Sequence, residues 1–442
     1  MRAVTDSLAV GIDDKPAAPL AAFVGLQHLL AVFGGIVTAP LLIALGMGLG
    51  AADTAYLVSS ALLVSGLATA VQIARIGPVG SGLLSIQGTS FTFVGPLIYL
   101  YQSRAGELES GAILGALFAA CALCSVVIMV LSRFVERLRY FVTSRVAAAT
   151  IVLLGITLVQ ATLGNIEREY TAAGAEGWRV LVMAGTVFAA IALAVWRGGP
   201  MLRLSSILLG LIVGFFVAGA LGWPIVIERG DAPTLFLPEF GRYPWSFDLT
   251  FVLVLLPIFL ISATESVGDL TATASLSKLS IKDKPFWQRL RGGLLADAIN
   301  SFLAALVSTF PNTTFSQNNG VIRLTGVCSR RVGLWAAAFL VLLGLIPVVA
   351  VVLNALPGAV VSGATLLMFF MVAVSGFHIA RADADPQRSR TIVVAAVVSG
   401  LLLGIIGPKL TALPDALRML VSFPVSSGAF IAMGLEVLLP RK

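Results

Sequence analysis

Few side chains in this sequence are equipped for chemistry, and those few are concentrated. Glu265 and Asp269 lie in LISATESVGDLTATA, four residues apart and so on one face of a helix. Asp297 lies in GGLLADAINSF and His28 in GLQHLLAVFGG, each inside an apolar run. A charge at the centre of a bilayer costs at least ~2.5 kcal/mol on insertion scales, so acids in such runs need a purpose. Two acids on one turn, with no Lys or Arg in the neighbouring runs, fit proton binding or hydrogen bonds to a ligand. For His28 and Asp297 a buried structural pair stands beside that reading. The second concentration is uncharged. Phe310 to Arg331, FPNTTFSQNNGVIRLTGVCSRR, has only Phe315 apolar between Pro311 and Gly320, yet apolar runs flank it on both sides. Irregular polar backbone at membrane depth survives where protein or a water-filled cavity satisfies its amides and carbonyls, which makes such a break the expected place for a ligand. A re-entrant or extramembrane loop is the plainer alternative.

The elements that must hold these residues follow from composition. Of 442 residues, 58% are hydrophobic and 12% charged, about half the charge of a soluble domain. That predicts a polytopic membrane protein. Runs long enough to span a bilayer fall at 22–46, 55–75, 83–101, 110–131, 141–163, 179–196, 204–222, 249–273, 289–309, 313–325, 332–353, 357–378, 390–407 and 414–438, fourteen segments with the third and tenth irregular. The first twenty residues carry Asp6, Asp13, Asp14, Arg2 and Lys15 and lack a signal-peptide core, so they are expected to be a short polar lead. Cys121, Cys124 and Cys328 make no disulfide framework or metal set and are expected in the core. His378, beside Arg381, is expected at an interface.

Twenty-two of the 29 Lys and Arg fall on one side of this arrangement when the amino terminus is cytoplasmic. They include Arg2, Arg75, Arg139, Lys282, Arg289, Arg330, Arg388, Arg441 and Lys442, with Arg229 among the minority opposite. The bias predicts both termini inside. It accounts for the net charge of +7 without nucleic acid as a partner. The third segment, GSGLLSIQGTSFTFVGP, and the tenth, PNTTFSQNNGVIRLTG, occupy matching places in two halves of seven. Paired interruptions of this kind point to an inverted-repeat transporter with half-helix amino termini aimed at the substrate. A short antiparallel pair between Ser85–Gln87 and Thr313–Phe315 would satisfy the exposed backbone.

Gln317-Asn318-Asn319-Gly320 followed by Thr325-Gly326 resembles the Q-N-x-G-x-x-x-x-T signature of the nucleobase/ascorbate transporter family, also called xanthine/uracil permeases. GLQHLLAVFGG, GTSFTF, ATESVGDLTATA and GGLLADAINS resemble the family's motifs of the first, third, eighth and ninth segments, so the likeness runs from about residue 20 to 438. It implies an all-α fold of fourteen segments as seven plus seven inverted repeats, with strand and half-helix pieces at segments 3 and 10. The implied division is a polar lead, 1–20; a core domain, 21–131 and 246–355; and a gate domain, 132–245 and 356–442, usually in a homodimer.

The resemblance also assigns roles. Glu265 and Gln317 look like the pair that hydrogen-bonds a base; Ser90 and Phe91 resemble the third-segment wall, with Phe91 stacking on the ring; Asn318 looks like an affinity neighbour of Gln317. His28, Asp269 and Asp297 match positions that support the site or proton coupling. Uracil carriers commonly have Glu where this chain has Gln317 and often His where it has Asp269, so this chain resembles the purine branch that carries xanthine and uric acid. The side chains suit that substrate: a carboxylate accepts from ring N–H groups, a primary amide donates and accepts, and an aromatic face stacks without reading the edge. The expectation is a proton-coupled purine importer in the cytoplasmic membrane, without cofactor or metal. A uracil carrier, a sodium-coupled carrier and an ion channel are the alternatives. A hydrolase has no support, since the two histidines are far from any G-x-S-x-G or H-E-x-x-H pattern.

Overall fold

The computed structural model describes residues 9–138, 143–199, 202–203, 205–224, 235–281, 283–383 and 385–439. Arg2, Asp6, Arg139, Arg229, Lys282, Arg441 and Lys442, which entered the charge count, lie outside the described residues. The chain is almost wholly helical. In order the labelled elements are α1 (Ala18–Met47), α2 (Ala51–Ala74), β1 (Gln87–Thr89), α3 (Val94–Arg104), α4 (Ser110–Ser132), α5 (Ser144–Ala172), α6 (Gly177–Arg197), α7 (Ser206–Ala220), α8 (Leu249–Leu276), α9 (Lys284–Leu306), β2 (Asn312–Thr314), α10 (Gln317–Thr325), α11 (Arg330–Leu345), α12 (Gly358–Arg381), α13 (Pro386–Ile406) and α14 (Pro424–Leu438). Short helices Val135–Leu138, Pro347–Asn354 and Asp415–Ser422 join some of them. Among the described residues eight helices are long and apolar enough to cross a membrane.

Local chemistry sets the helix starts. Asp248 accepts from the N–H of Thr250 at 2.8 Å to open α8, and Asp283 accepts from Phe286 at 3.0 Å to open α9, the N-cap bonds that free helix donors require. Two expected spans prove to be interrupted. The run 332–353 breaks at Ile346, and 414–438 breaks at Phe423; both residues are extended and both precede a proline, Pro347 and Pro424. Proline disfavours helical backbone in the residue before it, a constraint that hydropathy alone does not register.

Burial separates interior helices from those that face lipid. The apolar stretch of α1 is 89% buried, whereas those of α6 and α13 are 33% and 28% buried. α1 packs on α2 and α11, α2 on α11, and α4 on α8 and α9; α5 packs on α12 and α14, α6 on α7 and α12, and α13 on α14. Across these groups α8 meets α5 and α14.

The middle of the molecule holds the only sheet among the described residues. β1 and β2 pair antiparallel with Gln87 opposite Thr314, Gly88 opposite Thr313 and Thr89 opposite Asn312. The pair expected from sequence exists, but it is displaced: Gln87–Thr89 replaces Ser85–Gln87 and Asn312–Thr314 replaces Thr313–Phe315. Hydrogen bonds from Phe315 N to Ile86 O (2.9 Å) and from Ser90 N to Pro311 O (3.0 Å) extend it at both ends. The ring of Phe315 packs across the pair. It lies between Gly35 of α1 and Gly88 of β1, and a Cβ at either glycine would stand 2.6 Å from it. Phe315 thus keeps its backbone bond to Ile86 while its ring fills a slot that only glycines open.

The amino terminus also differs from the expected free lead. Val10 bridges Val327 in parallel, and Ile12 is buried in the core.

Candidate functional site

The site is built around the strand crossing, because each strand turns directly into a half-helix. After β1, Ser90 accepts from Thr92 N at 3.3 Å and starts a single 3₁₀ turn, Phe91–Phe93, that continues into α3. After β2, α10 begins at Gln317. Both half-helices thus start beside the sheet, in mid-molecule, with their amino ends and the positive ends of their dipoles close together.

Glu265 and Asp269 project from α8 towards these starts. Thr92 donates to Glu265 Oε2 at 2.7 Å, and Thr314 donates to Asp269 Oδ2 at 3.2 Å. Each acid is tied to a different interruption, and Ser266 between them pairs with Thr313 at 3.0 Å. Thr273, one turn further, donates to Asn319 Oδ1 at 2.7 Å. α8 is stitched to β2 and α10 along about two turns, from Ser266 to Thr273. Among the described residues no salt bridge engages Glu265 or Asp269, and the ionisable neighbours of Asp269 are the like-charged Glu265 and Asp297.

Gln317 is half-buried at the first position of α10, and its side-chain amide makes no hydrogen bond among the described residues. The side-chain amides of Gln87 and Asn312, on the strands themselves, also lack a partner among the described residues, but unlike Gln317 both are buried. Asn318 is turned the other way: it is buried, it donates to Leu84 O at 2.6 Å, and it lies beside His28. His28 is fully buried, with both ring nitrogens outside hydrogen-bonding geometry to any described group. Phe91 is half-buried, with ring centroids 5.5 Å from Phe369 of α12 and 6.3 Å from Phe315, so an aromatic wall joins the 3₁₀ turn before α3, the link between β2 and α10, and α12. Arg323, a charge inside the signature, is exposed in the last turn of α10, where it complements the helix C-terminus.

Asp297 lies behind this layer. Gln72 of α2 donates to Asp297 Oδ1 at 3.1 Å and to Gly293 O at 3.3 Å while accepting from Ser81 N at 3.2 Å. Sequence reasoning did not single out Gln72, Thr92, Thr314 or Asn319. A lone amide inside the apolar α2 was a usable signal for Gln72. The threonines carried none, because Thr is frequent in this chain and its partner is set by tertiary placement.

A cavity of about 30 Å³ adjoins Glu265, lined by Val146 and Thr150 of α5, Pro257 and Ile261 of α8, and Ala429 and Met433 of α14. That is room for a water or two, and it lies where α8 faces α5 and α14. A larger cavity, about 220 Å³, occupies another face of α8 among Ile128, Val267, Trp287 and Leu290. Thr264 and Thr271 supply its only side-chain polarity apart from the Trp287 indole, so it offers no set of donors and acceptors to read a polar ligand.

A bundle of apolar helices with two broken segments that meet at a strand crossing, and with an acid tied to each of them, is the architecture of a multi-pass membrane permease. The chain belongs to the nucleobase/ascorbate transporter family: residues 20–413 match the profile of the Permease family designated Xan_ur_permease. It is 36% identical to the xanthine permease XanP of Escherichia coli K12 over 97% of this chain and 94% of that protein, and 34% identical to the xanthine permease XanQ of the same strain over 97% and 93%. The fold is similar to the transmembrane domain of the cyanobacterial bicarbonate transporter BicA, with a TM-score of 0.61 at 13% identity over 93% of this chain and 99% of that one. It is also similar to SLC26A9, with a TM-score of 0.60 at 11% identity over 93% and 64%. The chain is a transporter and not an enzyme.

Proposed function

We propose that this protein imports a purine base, xanthine or uric acid, together with protons across the cytoplasmic membrane, with both its termini inside. The observation that supports the reading is that Glu265 is tied by Thr92 to one interruption while Gln317, with no side-chain partner among the described residues, opens the half-helix of the other, in a chain 36% identical to a xanthine permease over almost its full length. A dioxopurine offers ring N–H donors beside carbonyl acceptors; Glu265 accepts from the former and Gln317 serves both. Phe91 supplies the stacking face and Ser90 holds the turn that presents it. Asp269, Asp297 and His28 support the site or take part in proton coupling, and Asn318 fixes the start of α10 to the third segment.

Transport proceeds by alternating access. α1–α4 with α8–α11 form the core, α5–α7 with α12–α14 form the gate, and the two halves of seven are inverted repeats, fourteen segments in all. The narrow space between Glu265 and α5 and α14 supports this mechanism, because a base enters or leaves only when core and gate separate. The protein works as a homodimer with gate-side contacts. The test is uptake of radiolabelled xanthine into proteoliposomes with and without an inward proton gradient. Saturable uptake that rises with the gradient is expected; non-saturating flux would instead fit a channel, and uptake driven equally by sodium would overturn proton coupling.

A further inference from the structure

α10 is a short helix, nine residues and about 13 Å long, and its two ends have different tasks. The amino end carries Gln317. The carboxyl end closes on Gly326 in left-handed conformation, φ 69°, and runs into residues 327–329, all buried. The Thr325 hydroxyl of α10 accepts from Val327 N at 3.2 Å, and the helices and sheet of the bundle leave the Gly326 carbonyl and the Cys328 N–H to other partners. The amino-terminal segment supplies them. Ala9 N and Val10 N both donate to Gly326 O, at 3.0 and 3.3 Å. Cys328 N donates to Val10 O at 2.9 Å, Arg330 N donates to Ile12 O at 3.0 Å, and the Ser329 hydroxyl donates to Asp14 O at 2.6 Å. Gly11 N donates to Asp14 Oδ2 at 2.7 Å and folds the end of the segment back on itself.

The same strap reaches the other interruption. Arg330 pairs with Asp13 at 3.4 Å and donates through Nε to Gly82 O at 2.9 Å, while Arg289 of α9 donates to Ser81 O at 3.0 Å. Gly82 starts the extended run that becomes β1. Residues 9–14 therefore brace, from one end, both broken segments whose other ends form the site.

We infer that the amino-terminal strap Ala9–Asp14 is a positioning element for the substrate site, acting through Gly326 on α10 and through Arg330 on the run into β1. This rests on the proposed function only where a purine is the reporter. A helix of two and a half turns with a loose carboxyl end tilts as a unit, so freeing Gly326 moves Gln317 without any change at the site itself. Val10→Pro removes one donor to Gly326, and Arg330→Gln removes the guanidinium that joins strap and turn.

The test compares both variants with the unaltered full-length protein in detergent, using xanthine titration, thermal melting and hydrogen exchange of the α10 amides. The expected result is xanthine binding weakened roughly five- to tenfold, the scale of one misaligned hydrogen bond, with uptake at saturating xanthine retained and faster exchange over Gln317–Thr325. Arg323→Gln, which removes an exposed charge at the same end but leaves the strap in place, is expected to leave xanthine binding unchanged. A disulfide formed between Val10→Cys and Val327→Cys is expected to preserve binding and uptake, since a positioning strap has no need to release. Unchanged exchange over α10 in both Val10→Pro and Arg330→Gln overturns the inference whether or not xanthine binds, and loss of uptake on cross-linking overturns it as well. If the unaltered protein itself fails to bind xanthine, the substrate reading falls while the exchange result still decides the strap. Should Val10→Pro not accumulate, Arg330→Gln and the cross-link carry the same decision.

Discussion

Glu265 and Gln317 make different kinds of hydrogen bond, and the difference is measurable. Glu265 has one described side-chain partner, Thr92, which leaves most of its accepting capacity for a ligand or a proton. Glu265→Gln keeps the shape and removes the proton site, so gradient-driven xanthine accumulation is expected to disappear while insertion and melting stay close to the original; normal accumulation by this variant would remove Glu265 from coupling. Gln317→Glu sets an acceptor against a purine carbonyl and adds an acid near Glu265. Affinity at neutral pH is expected to fall by about 1–3 kcal/mol, roughly 5- to 150-fold in Kd, and to recover partly in acid, where a protonated carboxyl again donates. Gln317→Asn is expected to weaken binding through loss of reach alone, with no pH dependence. Titrations of both variants at several pH values separate the two causes.

At the scale of elements, the crossing of β1 and β2 depends on two glycines from different parts of the chain. A Cβ on Gly88 would meet both Phe315 and Ile36 at 2.6 Å. Gly88→Ala is expected to destabilise the protein by about 1–3 kcal/mol through overpacking and to weaken xanthine binding, because Phe315 precedes Gln317 by two residues and cannot move without it. Phe315→Leu added to Gly88→Ala relieves the clash and is expected to recover part of the melting temperature. A double variant no more stable than Gly88→Ala would show that the ring is not what the glycine accommodates. Behind the strands, Gln72 holds Asp297 from α2. Asp297→Asn and Asp269→Asn are expected to lose more transport than binding, and equal losses in detergent binding and vesicle uptake would mark these acids as structural.

At the scale of the whole molecule, α5, α12, α13 and α14 are joined at one end by a buried charge cluster. Arg145 pairs with Asp383 at 2.9 Å and Glu436 at 3.0 Å, and Arg388 pairs with Glu436 at 3.2 Å. Asp383 lies in the turn between α12 and α13. Burial works against its charge but is outweighed by the Asp385 N–H, the Ser144 hydroxyl and the Arg145 guanidinium, which together hold it below its usual range. A carboxyl depressed in the folded state contributes stability above its unfolded value, and that contribution is lost as pH falls through the lower folded value. The contribution of Asp383 is therefore complete at neutral pH, starts to fall near the ordinary carboxyl value of about 4 and is gone below the lower folded value. Asp383→Asn is expected to cost roughly 1–3 kcal/mol at pH 7, because it leaves Arg145 with one partner. The difference from the unaltered protein is expected to vanish in acid; melting curves from pH 7 to 3 that stay parallel would contradict this.

Composition and periodicity by themselves determined a multi-pass helical membrane protein, and the run from Pro311 to Gly320 was legible as a break because seven polar side chains cannot sit in a continuous membrane helix. The spacing of Glu265 and Asp269 placed them on one face, and the signature at Gln317 identified the family. Those are local properties, carried by residue type and by the repeat of the helix. Tertiary structure decided what depends on distant chain segments. The strand register, Gln87 opposite Thr314, and the seat of the Phe315 ring between Gly35 and Gly88 appeared only in the fold; Asn318 proved to face Leu84 and His28; Gln72 emerged as the partner of Asp297, 225 residues away. Residues 9–14, expected as part of a short polar lead, became a strap because the connection 326–330, buried at 327–329, had donors and an acceptor to satisfy. A hydrogen bond between remote backbone groups leaves no trace in side-chain type, which is why only the folded chain shows it.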